Sequence, residues 1–385
     1  MTRRDRLMAT LRGEAVDRPP FNFYEIMGLE NTSSQDPFNI FSHPSWKPLL
    51  DLAREKTDRL LLHPLPFKRR DGASKAWKPM PELEGQTERS LNAQGSDVAT
   101  LTLRAGGRSL TQRTRRDRDV NTVWVTEHLL KDVDDFRAWL TLPEDCFDAE
   151  VDRECVLQAE RRLGDSGLVL LDTPDPLCLV APLFEMGTYT VIALTEPELF
   201  GQALEKMARS LYPKVAAAAE ALPGRPWRIY GPEYAAPPYL PPRLYDEYVV
   251  RYVKPMVEVI QRYGGFARIH SHGKLNAILD KLCSTGCTGL DPIEPPPQGD
   301  VELAYVRERY GAQLALFGNL EIADIENLPT PLFREKVLRA LREGTRGPGR
   351  GFVLQPSAAP YGRVLAPLTL RNYEAMTECA EGFAG

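Results

Sequence analysis

The spacing of apolar residues changes character along the chain, and each change predicts a different element. Residues 3–12 put Leu7, Met8 and Leu11 on one helical face, and Gly13 ends the run. Pro19 and Pro20 then force an extended entry into the apolar stretch Phe21-Asn22-Phe23-Tyr24, a first strand. Trp46 to Glu55 has helical spacing, and Arg59-Leu60-Leu61-Leu62-His63-Pro64 follows as a second strand. Residues 67–127 alternate instead, most clearly over 97–103, 109–114 and 120–126. Period-two alternation predicts an antiparallel β-meander inserted into the main fold, covering one mouth of it or building an interface. From residue 132 helices and short apolar strands take turns. Helices are predicted over 132–140, 148–163, 178–186, 196–221 and 243–263, with one more after Lys274. Strands are predicted at 167–172, at 228–230, in the run that reaches His270, and at 289–294, 314–319 and 351–355. Strand and helix alternating around eight times predicts an α/β fold, a (β/α)8 TIM barrel, formed by the whole chain as one domain.

The densest chemistry lies in Gly264-Gly265-Phe266-Ala267-Arg268-Ile269-His270-Ser271-His272-Gly273-Lys274. Alternate side chains of an extended segment share a face, so His270 and His272 point the same way at a strand end. In parallel α/β architectures ligands bind at strand ends. Two imidazoles there form half of a metal site or a proton-transfer pair; the alternative is that one caps the helix and the other packs in the barrel wall. Polar residues just past the other strands are Asp175, Glu233, Asp291, Glu294, Glu321 and Tyr361, and the nearest cations are Lys274 and Arg363. A mouth rich in His and Glu suits a divalent metal more than an anionic substrate. Glu294 is the first choice for a third ligand and Glu233 the second. Each acid alone is equally suited to a helix N-cap or a loop salt bridge. Glu233, Glu321 and Tyr361 are the expected catalytic groups, and Asp175, Tyr239, Lys274 and Asn319 the expected substrate contacts. Cys283 and Cys287 lie at the far end of the next helix and read as core thiols.

Composition narrows the function classes. The 385 residues are 43% hydrophobic and 26% charged with a net charge of −5, which describes a globular protein without a basic field for nucleic acid. The one cationic run, Arg113 to Arg118, is mixed in sign. No apolar segment is long enough for a bilayer span, and no apolar core follows the charged N-terminus, so a cytoplasmic location is expected. Six scattered cysteines fit reduced thiols.

In order and spacing the chain resembles the uroporphyrinogen decarboxylase superfamily. The resemblance rests on Arg12-Gly13-Glu14-Ala15-Val16-Asp17-Arg18-Pro19-Pro20, on Leu240 to Val249, and on His270-Ser271-His272-Gly273. It continues through Gly289-Leu290-Asp291-Pro292-Ile293-Glu294, Phe317-Gly318-Asn319-Leu320-Glu321 and Asn372 to Met376. It implies a (β/α)8 barrel and, by family habit, a homodimer. The true decarboxylases carry an arginine-rich motif after the first strand, where this chain has Phe23 to Glu30 with no arginine. A polyanionic tetrapyrrole would leave buried charges unpaired there, at several kcal/mol each. The resemblance therefore points to the corrinoid- and thiol-dependent methyltransferase branch. That branch binds zinc through a His-x-Cys pair where this chain has His270 and His272, plus a distal cysteine where it has Gln355-Pro356-Ser357. The implied cofactors are a divalent metal, zinc by family, and a corrinoid carried on a partner protein. A His/His/carboxylate site suits Lewis-acid polarisation of a small methylated or methoxylated substrate more than thiolate binding. The runner-up is a metal-free carbon–carbon lyase, a decarboxylase with the histidines as acid and base and Lys274 or Arg363 as carboxylate clamp.

Overall fold

In this computed structural model the described residues are 1–68, 86–143 and 150–383. Their strands are β1 (Arg59–Pro64), β2 (Phe67–Lys68), β3 (Gln86–Leu91), β4 (Asp97–Ala105), β5 (Arg108–Arg116), β6 (Val123–Glu127), β7 (Glu150–Val151), β8 (Gly167–Pro174), β9 (Pro226–Tyr230), β10 (Phe266–His270), β11 (Gly289–Asp291), β12 (Ala315–Leu320) and β13 (Phe352–Pro356). Seven of them form one sheet in the order β1-β8-β9-β10-β11-β12-β13, and every pairing in it is parallel. Helices cross between successive strands, as parallel pairing requires. The expected meander is present as a four-stranded antiparallel sheet, β3-β4-β5-β6, and β2 pairs with β7. The first part of the expected insertion, 69–85, and the start of the helix expected at 148 lie outside the described residues.

Where eight strands were expected, the parallel sheet has seven. Phe21–Tyr24 contributes a single parallel bridge, Phe21 to Leu354. Asn22 N donates to the Leu354 carbonyl at 3.0 Å, Leu354 N to that of Pro20 at 2.9 Å, and Asp58 N to that of Phe21 at 2.8 Å. This short segment is thus bonded both to β13 and to the residue before β1. It cannot extend its ladder because Tyr24 adopts a positive φ of 57° and Phe23 bridges back to Ile26. Two expected helices are also interrupted. The one over 243–263 is divided by a π-helical turn, Asp246–Val250, and the one after the histidines is reduced to Leu279–Ser284.

Inward-facing residues change chemistry along the strands. At the strand starts Leu60, Leu168, Leu170, Phe317 and Val353 form an apolar cluster with Leu7 and Leu11 of the helix Arg3–Arg12, which covers that end. Two residues further along β8, β12 and β13 come Asp172, Asn319 and Gln355, and Arg228, Arg268, His270 and Asp291 take the matching register on β9, β10 and β11. One end of the sheet is therefore packed and the other is polar. The opposite parity (Val169, Ile229, Ile269, Leu290, Leu316) packs against the helices in the main core. No single helix among the described residues is long and apolar enough to cross a membrane.

Candidate active site

His270 is the last residue of β10, and His272 follows in the loop. Their ring centroids are 4.6 Å apart, edge to face, so the strand-end spacing does bring them together. Each is held by a carboxylate from the next strand and its loop. His270 Nδ1 lies 3.0 Å from Asp291 Oδ2, and His272 Nδ1 lies 2.8 Å from Glu294 Oε1. Glu294 Oε2 accepts from Gly273 N at 2.8 Å. Burial works against charge on this second pair, yet the mutual contact holds Glu294 below and His272 above their ordinary values. Asp291 is fully buried, but Arg268, His270 and Arg228 together hold it well below the usual carboxylate range.

Beneath the histidines is a layer of buried charge. Arg268 Nε lies 3.0 Å from Asp291 Oδ1, and its guanidinium sits 4.6 Å above the Phe317 ring. Arg228 makes a two-pronged pair with Asp172 at 2.7 and 2.9 Å and donates to the Tyr24 hydroxyl at 2.8 Å. The Tyr24 ring stacks on His270 at 6.1 Å. Gln355 links the layers, donating to Asp291 Oδ2 and accepting from Asn22 Nδ2, both at 3.4 Å. Arg228, Arg268, Asp172, Tyr24 and Gln355 were not singled out from sequence. The signal was present for those in strands: each shares inward parity with a strand-end polar residue or lies beside one in register, as Arg228 does with Arg268.

The remaining expected residues are dispersed. Glu321 is buried near His272 and Glu294; its Oε2 accepts from Ser357 Oγ at 3.1 Å and its Oε1 has no partner. Asp175 is fully buried as the N-cap of the helix Pro176–Val180, with Oδ1 accepting from Cys178 N at 2.7 Å. Half-buried Glu233 accepts from Gly231 N at 3.0 Å. Asn319 is half-buried, beside Gln355 in register. Lys274, Tyr239 and Tyr361 are exposed. The Tyr361 carbonyl accepts from Asn121 N, which places that loop against the turn between β5 and β6. Arg363 donates to the carbonyls of Pro37 and Arg118 at 2.9 and 3.0 Å. Cys287 is buried core and Cys283 packs against it.

Among the described residues, no three His, Cys, Asp or Glu side chains are gathered closely enough to hold one ion. Glu294 in particular has both oxygens engaged, behind His272 rather than beside it. Two features nevertheless fit a cation. Both imidazoles are fixed through Nδ1 to carboxylates, the usual support of metal-binding histidines, and neither Nε2 bonds to a described residue. The partnerless Oε1 of Glu321 is a buried acceptor close by.

The family model for uroporphyrinogen decarboxylase (URO-D) matches residues 176–383, more than half of the chain. The chain belongs to that family. The matched span begins at Pro176, just after the Asp175 cap, and carries β9 to β13 with their loops. Among solved structures, a methyltransferase from Methanosarcina mazei superposes with a TM-score of 0.58 at 16% identity, covering 99% of this chain and 98% of that one. At that identity the likeness shows the fold. No curated protein matches the sequence.

Two consequences of this URO-D site are measurable. Burial, then the neighbouring Glu294, push the Glu321 carboxyl from its ordinary 4.5 up to about 7. A carboxyl raised on folding contributes stability that is fully present below its unfolded value and lost as pH rises through about 7. In chelator-treated protein, Glu321→Gln should therefore gain roughly 1–3 kcal/mol over wild type between pH 5 and pH 8. Urea melts at the two pH values check this, and an unchanged difference contradicts it. At Gly231, with a φ of 118°, an added Cβ would lie 2.3 Å from Cys178 Cβ and 2.4 Å from Asp175 Oδ1. Gly231→Ala should lower stability by about 1–3 kcal/mol, read as a shift in the denaturation midpoint.

Proposed function

We propose that the chain is a methyltransferase-type enzyme of the URO-D family. It would act on a small methylated or methoxylated substrate at the polar end of the parallel sheet, with a corrinoid on a partner protein or a thiol at the other end of the transfer. The observation that carries this reading is the pair of imidazoles tied through Nδ1 to Asp291 and Glu294 with their Nε2 atoms left over. His270 and His272 would hold a divalent cation, of the zinc type, and Glu321 is the carboxylate best placed to join them. Such a cation supplies Lewis acidity toward a substrate heteroatom. Asp291 and Glu294 fix ring orientation and tautomer. Tyr24 packs on one face of His270 and is itself held by Arg228. Where it does not bind the cation, Glu321, raised to about 7, can hold or release a proton near neutral pH. The methyltransferase from Methanosarcina mazei shares this fold along nearly the whole chain and supports the same direction.

The decarboxylase alternative needs a free buried cation to clamp a carboxylate. Arg228 is bound two-pronged to Asp172 and Arg363 is spent on carbonyls, while Arg268 is neutralised by Asp291 at 3.0 Å although its Nε and Nη1 make no hydrogen bond. Lys274 is exposed. The deciding experiment follows the absorbance of free cob(I)alamin on mixing with the enzyme and a panel of methoxylated and N- or S-methylated compounds. Formation of methylcobalamin supports the proposal. Carbon dioxide release from small acids without methyl transfer would move the lyase reading to the front.

A further inference from the structure

Tyr24 is the only residue other than glycine with a positive φ among the described residues, at 57°, and it is a buried aromatic. A bulky side chain strains this left-handed backbone, which glycine or asparagine adopts far more readily. Such a conformation persists only where its surroundings over-determine it, and residues held this way cluster at functional sites.

Three hydrogen bonds fix it here. Tyr24 N donates to Asn22 Oδ1 at 2.7 Å, Ile26 N donates to the Phe23 carbonyl at 3.1 Å, and the Tyr24 hydroxyl accepts from Arg228 Nη1 at 2.8 Å. The first leads round to His270. Asn22 Nδ2 donates to Gln355 Oε1, and Gln355 Nε2 to Asp291 Oδ2, each at 3.4 Å. That same Asp291 oxygen lies 3.0 Å from His270 Nδ1. The third leads down to β8, where Asp172 grips Arg228 at 2.7 and 2.9 Å. Between these two anchors the Tyr24 ring lies on the imidazole of His270, with centroids 6.1 Å apart and planes 20° from parallel. Glycine or asparagine at position 24 would ease the backbone and give up both the stack and the tether. The strain is therefore spent on a ring that covers one face of His270.

We propose that Tyr24 is a positioning residue for His270: set by the strained turn and tethered through Arg228 to Asp172, its ring fixes the plane of the imidazole and directs Nε2 to the ligand. The carboxylate at Nδ1 holds one atom and leaves the ring free to rock about that contact; the stack removes this freedom. The proposal rests on the histidine pair serving the reaction, and it adds a support that comes from the N-terminal segment rather than from the next strand.

Two variants read by two measurements test it. Tyr24→Phe keeps the stack and unties the hydroxyl, and Tyr24→Leu removes both. Nuclear magnetic resonance of the metal-free full chain, labelled in its five histidines, follows the His270 ring signals, identified by their loss in His270→Gln. Titration with cobalt(II) gives the affinity of the pair for a divalent ion. Tyr24→Leu should shift and broaden the His270 signals and weaken cobalt binding by roughly tenfold to a hundredfold. Tyr24→Phe should melt like wild type, keep most of the signal position and weaken binding by roughly threefold to tenfold. Should Tyr24→Leu fail to fold, Tyr24→Phe alone decides, and wild-type signals with wild-type affinity in it overturn the proposal. A lowered melting temperature in Tyr24→Leu with unchanged His270 signals and unchanged affinity overturns it too, since the ring would then be packing only. The resonance arm needs no metal and no turnover. A wild type that binds no cobalt removes the cation site, and the His270 signals of the two variants still uphold or overturn the role of Tyr24.

Discussion

Replacing His270 by alanine should reduce turnover by about 10²–10⁴-fold while leaving a folded protein. The imidazole sits at the junction of both layers of the site. Its Nδ1 meets Asp291, its ring face meets Tyr24, and its edge meets His272 at 4.6 Å. Its removal takes away one of the two free Nε2 atoms and leaves the other histidine unable to act as a pair. The fold should survive, because Asp291 keeps Arg268 and Gln355 as partners. Asp291→Asn offers the graded comparison: the ring stays but loses its charged support, and such supports are worth about 10–100-fold. Steady-state rates with a melting curve on each variant check both. His270→Ala at wild-type rate would remove the histidine pair from the chemistry, whatever the reaction.

Asp58→Ala should cost about 3–5 kcal/mol of folding stability, the largest effect expected for any residue away from the site. Asp58 is fully buried between the N-terminal helix and the start of β1. Its Oδ1 accepts from Arg6 Nη1 at 2.6 Å, and its Oδ2 from Arg18 Nη1 at 2.8 Å and from Phe21 N at 3.0 Å. Alanine leaves Arg6, itself only 6% exposed, with a single carboxylate, Asp17, and orphans a buried backbone N–H. The same contacts hold Pro20 and Phe21 against β13, where the eighth strand was expected. Equilibrium urea unfolding measures the loss, and a change below about 1 kcal/mol would show that the segment is held by other contacts.

The rhythm of the fold was legible because the parallel strands are buried on both sides and read as short apolar runs, such as Leu168 to Leu171. The first strand misled for a local reason. Phe21-Asn22-Phe23-Tyr24 has strand composition, but the positive φ of Tyr24 and the Phe23–Ile26 bridge end its pairing after one bridge, and neither follows from periodicity. The two histidines, Asp291, Glu294 and Glu321 were legible because they follow strands. Tyr361, Tyr239 and Lys274 also follow strands or their loops, but are exposed, since sequence does not say how a loop turns. The arginines were overlooked for the opposite reason: they lie inside apolar runs, Trp227-Arg228-Ile229 and Ala267-Arg268-Ile269, where the run masks an inward-facing charge. That Glu294 stands behind His272, hydrogen-bonded to it, could come only from the fold.

The central claim is that the histidine pair is a cation site serving the reaction. It is tested most directly by elemental mass spectrometry of the purified protein, wild type beside the double variant His270→Ala/His272→Ala. One zinc-type divalent ion per chain in the wild type, lost in the double variant, is the predicted result. A fully active wild type that carries no metal would contradict the claim and leave the two imidazoles as a proton-transfer pair.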